Sequence, residues 1–261
     1  MKKFITTVVK MGGSLLEHTD SRGVALGAVA SRWFSGDRIV LVHGGGKRID
    51  AELKVHGIPR NVCHGLRVTD AKTLDVVVSM LAGHVNKTLV SELTLLGVPS
   101  AGISGADGGT IRAEFHPPVE GVDLGFVGRP VASDVSLINA ILGVEMMPVV
   151  ATVAKGPGKA LLNVNADAAA AALAVALGST RLIFLTDVEG VMDSGKKIIE
   201  KISAAEAEEM LESDLITGGM RPKLRACITA LSHGAAEVII AGPACHKKVL
   251  EGGKGGTRLV S

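Results

Sequence analysis

The chain of 261 residues is 47% hydrophobic and 21% charged, an ordinary globular composition long enough for one large or two small cores. Its 28 basic and 26 acidic residues leave a net charge of only +2, which argues against a polyanion binder held by bulk charge. With no Tyr, one Trp and five Phe it also lacks the π faces of a base-stacking surface, so no nucleic-acid partner is expected. Apolar runs break well before the roughly 18 residues that would suggest a membrane span. The opening residues 1–10 carry too short an apolar stretch, and no small-residue cleavage site, for a signal peptide. Cys63, Cys227 and Cys245 are widely spaced and odd in number, which fits free thiols in a reducing compartment. A cytoplasmic protein without a membrane partner is expected.

Residues 4–10 read as a first strand, and 21–34 as a helix with Val24, Leu26, Val29 and Trp33 as its apolar positions. A second strand at 39–42 precedes a helix near 48–55. Thr69 and Asp70 cap a long helix over 71–96, which Gly97-Val98-Pro99 stops. Residues 101–104, 147–151, 182–186 and 238–241 read as buried parallel strands. Helices near 166–177, 204–211 and 222–232 separate the later ones. Stretches 110–112, 122–127 and 160–164 look like inserted hairpins. This alternation predicts an α/β fold, a three-layer α-β-α sandwich around a mostly parallel central sheet. A boundary near Gly178 would divide one domain of 261 residues into an N-lobe, 1–178, and a C-lobe, 179–261.

Ligands of such sheets bind in the turns beyond the carboxyl ends of strands. The first strand ends Lys10-Met11-Gly12-Gly13-Ser14, where glycines admit backbone N–H groups to a phosphate and the lysine neutralises it; a plain strand-to-helix turn is the alternative. The second ends His43-Gly44-Gly45-Gly46, and three glycines are costly to order unless a ligand approaches the backbone; otherwise this is a flexible loop. Lys47-Arg48 follows where a Walker A motif would need Ser or Thr, and Leu41 stands where its first glycine should be. No G-x-G-x-x-G closes the first βα turn, so dinucleotide binding is poorly supported. Arg67, just before the long helix, could clamp a carboxylate or could be a solvated charge. Asn163, Asn165 and Asp167 alternate along an extended segment and should share one face at a helix start. Thr217-Gly218-Gly219-Met220-Arg221-Pro222-Lys223 places a glycine pair and a lysine where an anion could meet a helix N-terminus. His43 reads as a packed residue rather than a base. No histidine spacing suggests a metal site, and no protein metal ligand is assigned.

These turns, in this order and spacing, resemble the amino acid kinase family over nearly the whole chain. The resemblance runs through Lys10-Met11-Gly12-Gly13-Ser14, His43-Gly44-Gly45-Gly46, Gly65-Leu66-Arg67-Val68-Thr69 and Asn86-Lys87. It continues through Asp123-Leu124-Gly125-Phe126-Val127-Gly128, Asn163-Val164-Asn165-Ala166-Asp167 and Thr186-Asp187-Val188-Glu189-Gly190. Gly218-Gly219-Met220 ahead of Lys223, and Gly256-Thr257-Arg258, complete it. The match is closest to members that phosphorylate the side-chain carboxylate of N-acetyl-L-glutamate with MgATP in arginine biosynthesis.

The resemblance implies that Lys10 and Lys223 stabilise the transferring phosphoryl group and that Asp167 holds both lysines. It implies that Arg67 and Asn163 grip the acid, with Gly45 and Gly46 near its reacting end and backbone N–H groups of Gly12 and Gly13 directed at phosphate. The nucleotide would lie over Asp187, Val188, Glu189, Gly190, Val191 and Met192, and over Leu215, Ile216 and Thr217. Mg²⁺ would ride on the phosphates. With so few aromatics, the adenine should be held by aliphatic side chains and backbone. A Cβ at residues 12, 13, 45 or 46 is expected to obstruct the phosphate path. Lys47 and Arg48 depart from the uncharged residues of many relatives, which bears on selectivity at the acid's distal end. The chain begins almost at its first strand, without the N-terminal helix of arginine-inhibited hexameric relatives. A homodimer joined through the long helix, without strong arginine feedback, is therefore expected. Sister kinases of aspartate, carbamate, aminoadipate or nucleoside monophosphates share the frame, but Gly65 to Thr69 with Asn163 favours an N-acyl amino acid. Intact Lys10, Asp167 and Lys223 argue against a non-catalytic sensor.

Overall fold

The computed structural model describes residues 6–213, Ile216 and residues 218–260. Strand β1 (Thr6–Met11), helix α1 (Thr19–Phe34), strand β2 (Arg38–His43) and helix α2 (Gly46–Val55) form the first two crossover units. A small hairpin, β3 (Val62–Cys63) with β4 (Leu66–Arg67), leads to the long helix. That helix comprises α3 (Ala71–Val78), a π-helical stretch Ser79–Val85 and α4 (Asn86–Leu95). Strands β5 (Ser100–Gly105), β6 (Arg112–Phe115) and β7 (Val127–Ala132) follow, then α5 (Ser136–Gly143), β8 (Met147–Lys155), β9 (Leu161–Val164) and α6 (Ala166–Ala176). The remainder is β10 (Arg181–Leu185), β11 (Lys201–Ser203), α7 (Ala204–Glu212), α8 (Met220–Ser232), β12 (Glu237–Ala241), α9 (His246–Leu250) and β13 (Thr257–Val260).

One eleven-stranded sheet carries all strands but β3 and β4, in the order β11-β13-β12-β10-β1-β2-β8-β6-β7-β9, with β5 also on β8. Pairing is mostly parallel; β12–β13, β6–β7 and β8–β9 are antiparallel. Successive residues of a strand face opposite sides. Thus Val8, Val40 and Val42 pack with Leu173 of α6 and Leu224 of α8, whereas Val9 and Leu41 pack with Leu26 of α1 and Leu89 of α4. Burying both faces explains why the central strands are continuous apolar runs rather than alternating ones. Each such side chain contributes about 1.5–3 kcal/mol of transfer free energy. The layers match the predicted sandwich. Strands that precede residue 178 occupy one end of the sheet and those after it the other, meeting where β1 pairs β10. No helix among the described residues is long and apolar enough to cross a membrane.

Some expectations need correction. Residues 122–126 form an irregular loop closed by a bridge between Val119 and Val122, and the strand begins only at Val127. Val24 is 58% exposed, so the inward face of α1 is carried by Ala25, Leu26 and Val29 instead. Phe4 and Ile5, at the start of the predicted first strand, lie outside the described residues. The capping role of Asp70 holds, since its carboxylate accepts from the Thr73 N–H at 2.7 Å.

Candidate active site

Strands β1 and β2 run parallel in the middle of the sheet, so their glycine turns emerge side by side at its carboxyl edge. Lys10 lies at that edge of β1, buried to 6% exposure. Asp167 sits in the first turn of α6 and Lys223 near the start of α8, both equally buried. The Asp167 carboxylate joins the two ammonium groups, Oδ1 to Lys10 Nζ at 2.8 Å and Oδ2 to Lys223 Nζ at 3.0 Å. The trio keeps one net positive charge at a place where water is largely excluded. Burial alone would raise the Asp167 pKa, but the two lysines overcome it and bring the carboxyl down to about 2. Burial and repulsion from Lys223 push Lys10 below its ordinary value, against the attraction of Asp167. Lys223 Nζ also lies 5.3 Å above the centre of the Phe184 ring.

The three polar residues of the 163–167 segment part company. Asn165 is a helix cap, its Oδ1 accepting from the N–H groups of Asp167 and Ala168. The helix that it starts rotates Asp167 toward the lysines. Asn163 stays on β9 and donates from Nδ2 to Thr69 Oγ1 at 3.1 Å. Alternation along one extended face therefore ends at Asn165.

A cavity of about 210 Å³ opens beside Lys10, lined by Gly44, Gly45, Gly46, Arg67 and Asn163 among others. Its apolar wall includes Ile49 and Leu81. Two larger open grooves on the outer side of α3 lack the buried cations, and the smaller cavity is where the chemistry converges. Arg67 is not a solvated charge: its side chain is 11% exposed and pairs with Asp50 Oδ1 at 2.6 Å. Its Nη2 also donates to the Gly46 carbonyl at 3.1 Å, whereas Nη1 is buried without a partner. An unsatisfied guanidinium nitrogen beside a cavity is a ready donor for an anion.

The glycines have more varied reasons than the expected phosphate path. A Cβ on Gly12 would stand 2.1 Å from Lys10 Nζ, so this glycine clears the lysine. At Gly45 it would meet Leu81 at 2.8 Å, so this one admits the π-helical stretch. Gly46, unlike Gly12 and Gly45, faces open space, as the first residue of α2, where helix N–H groups are unpaired. Gly13 opens a 3₁₀ turn, Gly13–Leu16. His43 is fully buried, and burial brings its pKa down to about 4, so it is neutral. Its Nδ1 meets the Gly44 carbonyl at 2.9 Å and its Nε2 the Asn86 amide at 3.0 Å. It props the glycine turn and is not a base.

Along residues 187–192, Asp187 acts electrostatically on Lys10. Glu189 Oε1 accepts from the Ala244 N–H, and Gly190 leaves room for Thr257 Oγ1, which would lie 2.7 Å from a Cβ there. The Val191 N–H donates to that same hydroxyl at 2.7 Å. Val188 and Met192 stay exposed on the same turn. Ile216 is buried and its carbonyl accepts from Arg221, while Leu215 and Thr217 lie outside the described residues. Sequence reasoning missed the Thr257 clasp, although Gly256-Thr257 had been singled out as a motif. It also missed Asp50, which carries no motif, and the partnership of Asn86 with His43. Arg48 pairs with Glu17 at 3.3 Å, tying one glycine turn to the other, while Lys47 is exposed.

Known proteins resemble the chain over most of its length. The model of the amino acid kinase family matches residues 6–242. An acetylglutamate kinase of Solibacter usitatus is 38% identical, covering 97% of this chain and 98% of the relative. One from Rhizobium etli is 40% identical, covering 94% and 87%. A solved structure, smu.665 from Streptococcus mutans, superposes with a TM-score of 0.83 at 26% identity, covering 98% of each chain. The N-acetylglutamate synthase of Neisseria gonorrhoeae, bound to coenzyme A and N-acetyl-glutamate, gives a TM-score of 0.86 at 24% identity. The chain covers only 59% of that synthase, so this likeness is one of fold. With its family model matched over most of its length and its relatives similar from end to end, the chain belongs to the amino acid kinase family.

Proposed function

We propose that the chain is an acetylglutamate kinase, transferring the γ-phosphoryl group of ATP to the side-chain carboxylate of N-acetyl-L-glutamate. The observation that carries this reading is the buried Lys10–Asp167–Lys223 trio, set beside a small cavity lined by Arg67, whose guanidinium keeps one nitrogen without a partner. A carboxylate oxygen forms the new bond to the γ-phosphorus, the bond to the bridging oxygen breaks, and ADP leaves with that electron pair. The acid is already ionised at neutral pH, so no proton need be removed. The barrier is instead repulsion between anions, which positioning and fixed positive charge relieve.

Lys10 and Lys223 act on the transferring group, and Asp167 fixes the spacing of their ammonium groups. Backbone N–H groups at Gly12, Gly13, Gly45 and Gly46 add dipoles where charge develops. Arg67 takes the α-carboxylate, with Asn163 beside the neighbouring amide. We assign the acid to the N-lobe, residues 1–178, and the nucleotide to the C-lobe, residues 179–261. There the exposed Val188 and Met192 offer aliphatic surface to the adenine. Mg²⁺ carried by the phosphates supplies further charge neutralisation. The three cysteines are free, and we place the enzyme in the cytoplasm, where ATP and reduced thiols coexist.

Release of ADP with a panel of acids tests the reading. N-acetyl-L-glutamate should far outpace aspartate, carbamate and aminoadipate derivatives, and the reverse order would overturn it. Arg67→Ala should raise the KM for the acid on the order of 10- to 100-fold with kcat little changed. A change confined to the KM for ATP would contradict the lobe assignment. We also propose a homodimer across the long helix. Val76, Val77 and Leu81 are buried within the chain, but Leu74, Val78 and Met80 remain part-exposed on other faces. Sedimentation at twice the chain mass is expected; a monomer or hexamer contradicts this.

A further inference from the structure

We propose that Asp50 is a positioning residue for recognition of the acid, holding the Arg67 guanidinium in the orientation that leaves Nη1 for the ligand. The inference rests on the functional reading above. Asp50 lies one helical turn beyond Gly46 on α2, so the Gly46 carbonyl and the Asp50 carboxylate share a face of that helix. The carbonyl accepts from Arg67 Nη2 at 3.1 Å, and the carboxylate forms an ion pair with the same nitrogen at 2.6 Å. Nη1, buried and without a partner, is thereby directed away from the protein's own acceptors.

The same Asp50 Oδ1 accepts from Arg60 Nε at 3.0 Å. Arg60 precedes β3 and Arg67 ends β4, so one carboxylate grips both arms of the β3–β4 hairpin at its base. Each strand of that hairpin has two residues, and its flanks are exposed. Two-stranded ribbons of this kind are marginal without an anchor. The Asn61 carbonyl, which accepts from the Val68 N–H at 3.0 Å, closes the base of the hairpin but does not attach it to α2. Asp50 supplies the side-chain attachment to α2, beside the Gly46 carbonyl, and α2 begins at the glycine turn that faces the reacting end of the acid. Asp50 therefore sets the distance between the two ends of the acid site.

Positioning and plain electrostatics make opposite forecasts here. Removing a negative charge 2.6 Å from Arg67 should, by charge alone, tighten the binding of an anionic acid. If orientation dominates, binding should weaken. The test is steady-state kinetics of Asp50→Asn. The KM for N-acetyl-L-glutamate is expected to rise on the order of tenfold, with kcat and the KM for ATP changed by less than about twofold. On an Arg67→Ala background the same substitution should add less than about twofold, because its partner is gone. An unchanged or lowered KM, a fall confined to kcat, or full additivity with Arg67→Ala would overturn the role. Should Asp50→Asn fail to fold, Asp50→Glu keeps the charge but displaces the carboxylate, and the same split is expected of it. Wild-type chain is assayed first. Absence of turnover with N-acetyl-L-glutamate overturns the functional reading itself, whereas turnover with an indifferent Asp50 overturns only this inference.

Discussion

Lys223→Ala is expected to lower kcat by about 10²- to 10³-fold while leaving the KM for the acid close to wild type. Lys223 reaches the site from α8, far along the chain from Lys10, and its ammonium is fixed by Asp167 at 3.0 Å. It is buried, so bulk water cannot replace the lost charge during transfer. On the proposed role, its contribution should grow as negative charge builds on the transferring group and be small before that. A side chain of this kind acts on the transition state more than on the bound ground state. Steady-state kinetics with both substrates varied separates the two. A raised KM with normal kcat would place Lys223 in binding alone.

Asp167→Asn should produce the largest combined loss, in stability and in turnover. The amide cannot neutralise two ammonium groups, and an uncompensated buried charge typically costs about 3–5 kcal/mol. Urea titration of the variant should show a lower midpoint with an unchanged slope. Turnover should fall too, because Lys10 and Lys223 would repel one another out of place. The pH dependence has a definite sign. The Asp167 carboxyl is held down at about 2 in the fold, below its ordinary 3.8, so its stabilising contribution is complete above pH 3.8 and fades as pH falls toward 2. The variant should lose that part of the acid transition. A variant as stable and as acid-sensitive as wild type would contradict the trio as described.

The fold was legible wherever burial on both faces wrote itself into composition. The β1, β2, β8, β10 and β12 runs are rich in Val, Ile and Leu because helices cover both sides. Strand β7 was misplaced for a physical reason. It contains Pro130, which ordinarily demotes a strand, and it is accommodated where the pairing with β6 is irregular, between Arg112 and Ala113. The short edge strand β11, its neighbour β13 and the helix α5 carry too few residues for periodicity to show. Within the long helix, the π-helical turn leaves no mark in the apolar pattern. It is visible only where Gly45 and Gly102 make room for Leu81 and Asn86.

The site was half legible. Glycine turns at the carboxyl ends of β1 and β2 pointed to anion chemistry, and parallel topology brings those turns together. Which groups neutralise one another is legible only through the family resemblance, not from pattern or spacing. Lys10, Asp167 and Lys223 lie on three different elements, and their ion pairs exist only in the fold. Arg67 looked like either a clamp or a surface charge, and the choice was made by Asp50, a residue without a motif. Reasons for glycine were also hidden: Gly12 and Gly45 clear side chains rather than phosphate.

The most direct measurement is to trap the product. Incubating the intact chain with ATP, Mg²⁺, N-acetyl-L-glutamate and hydroxylamine converts an acyl phosphate into a coloured hydroxamate once iron is added. ATP-dependent hydroxamate from N-acetyl-L-glutamate, abolished or nearly so in Lys223→Ala, is the expected result. Absence of hydroxamate from this acid, with clear formation from aspartate or an aminoadipate derivative, would contradict the assignment.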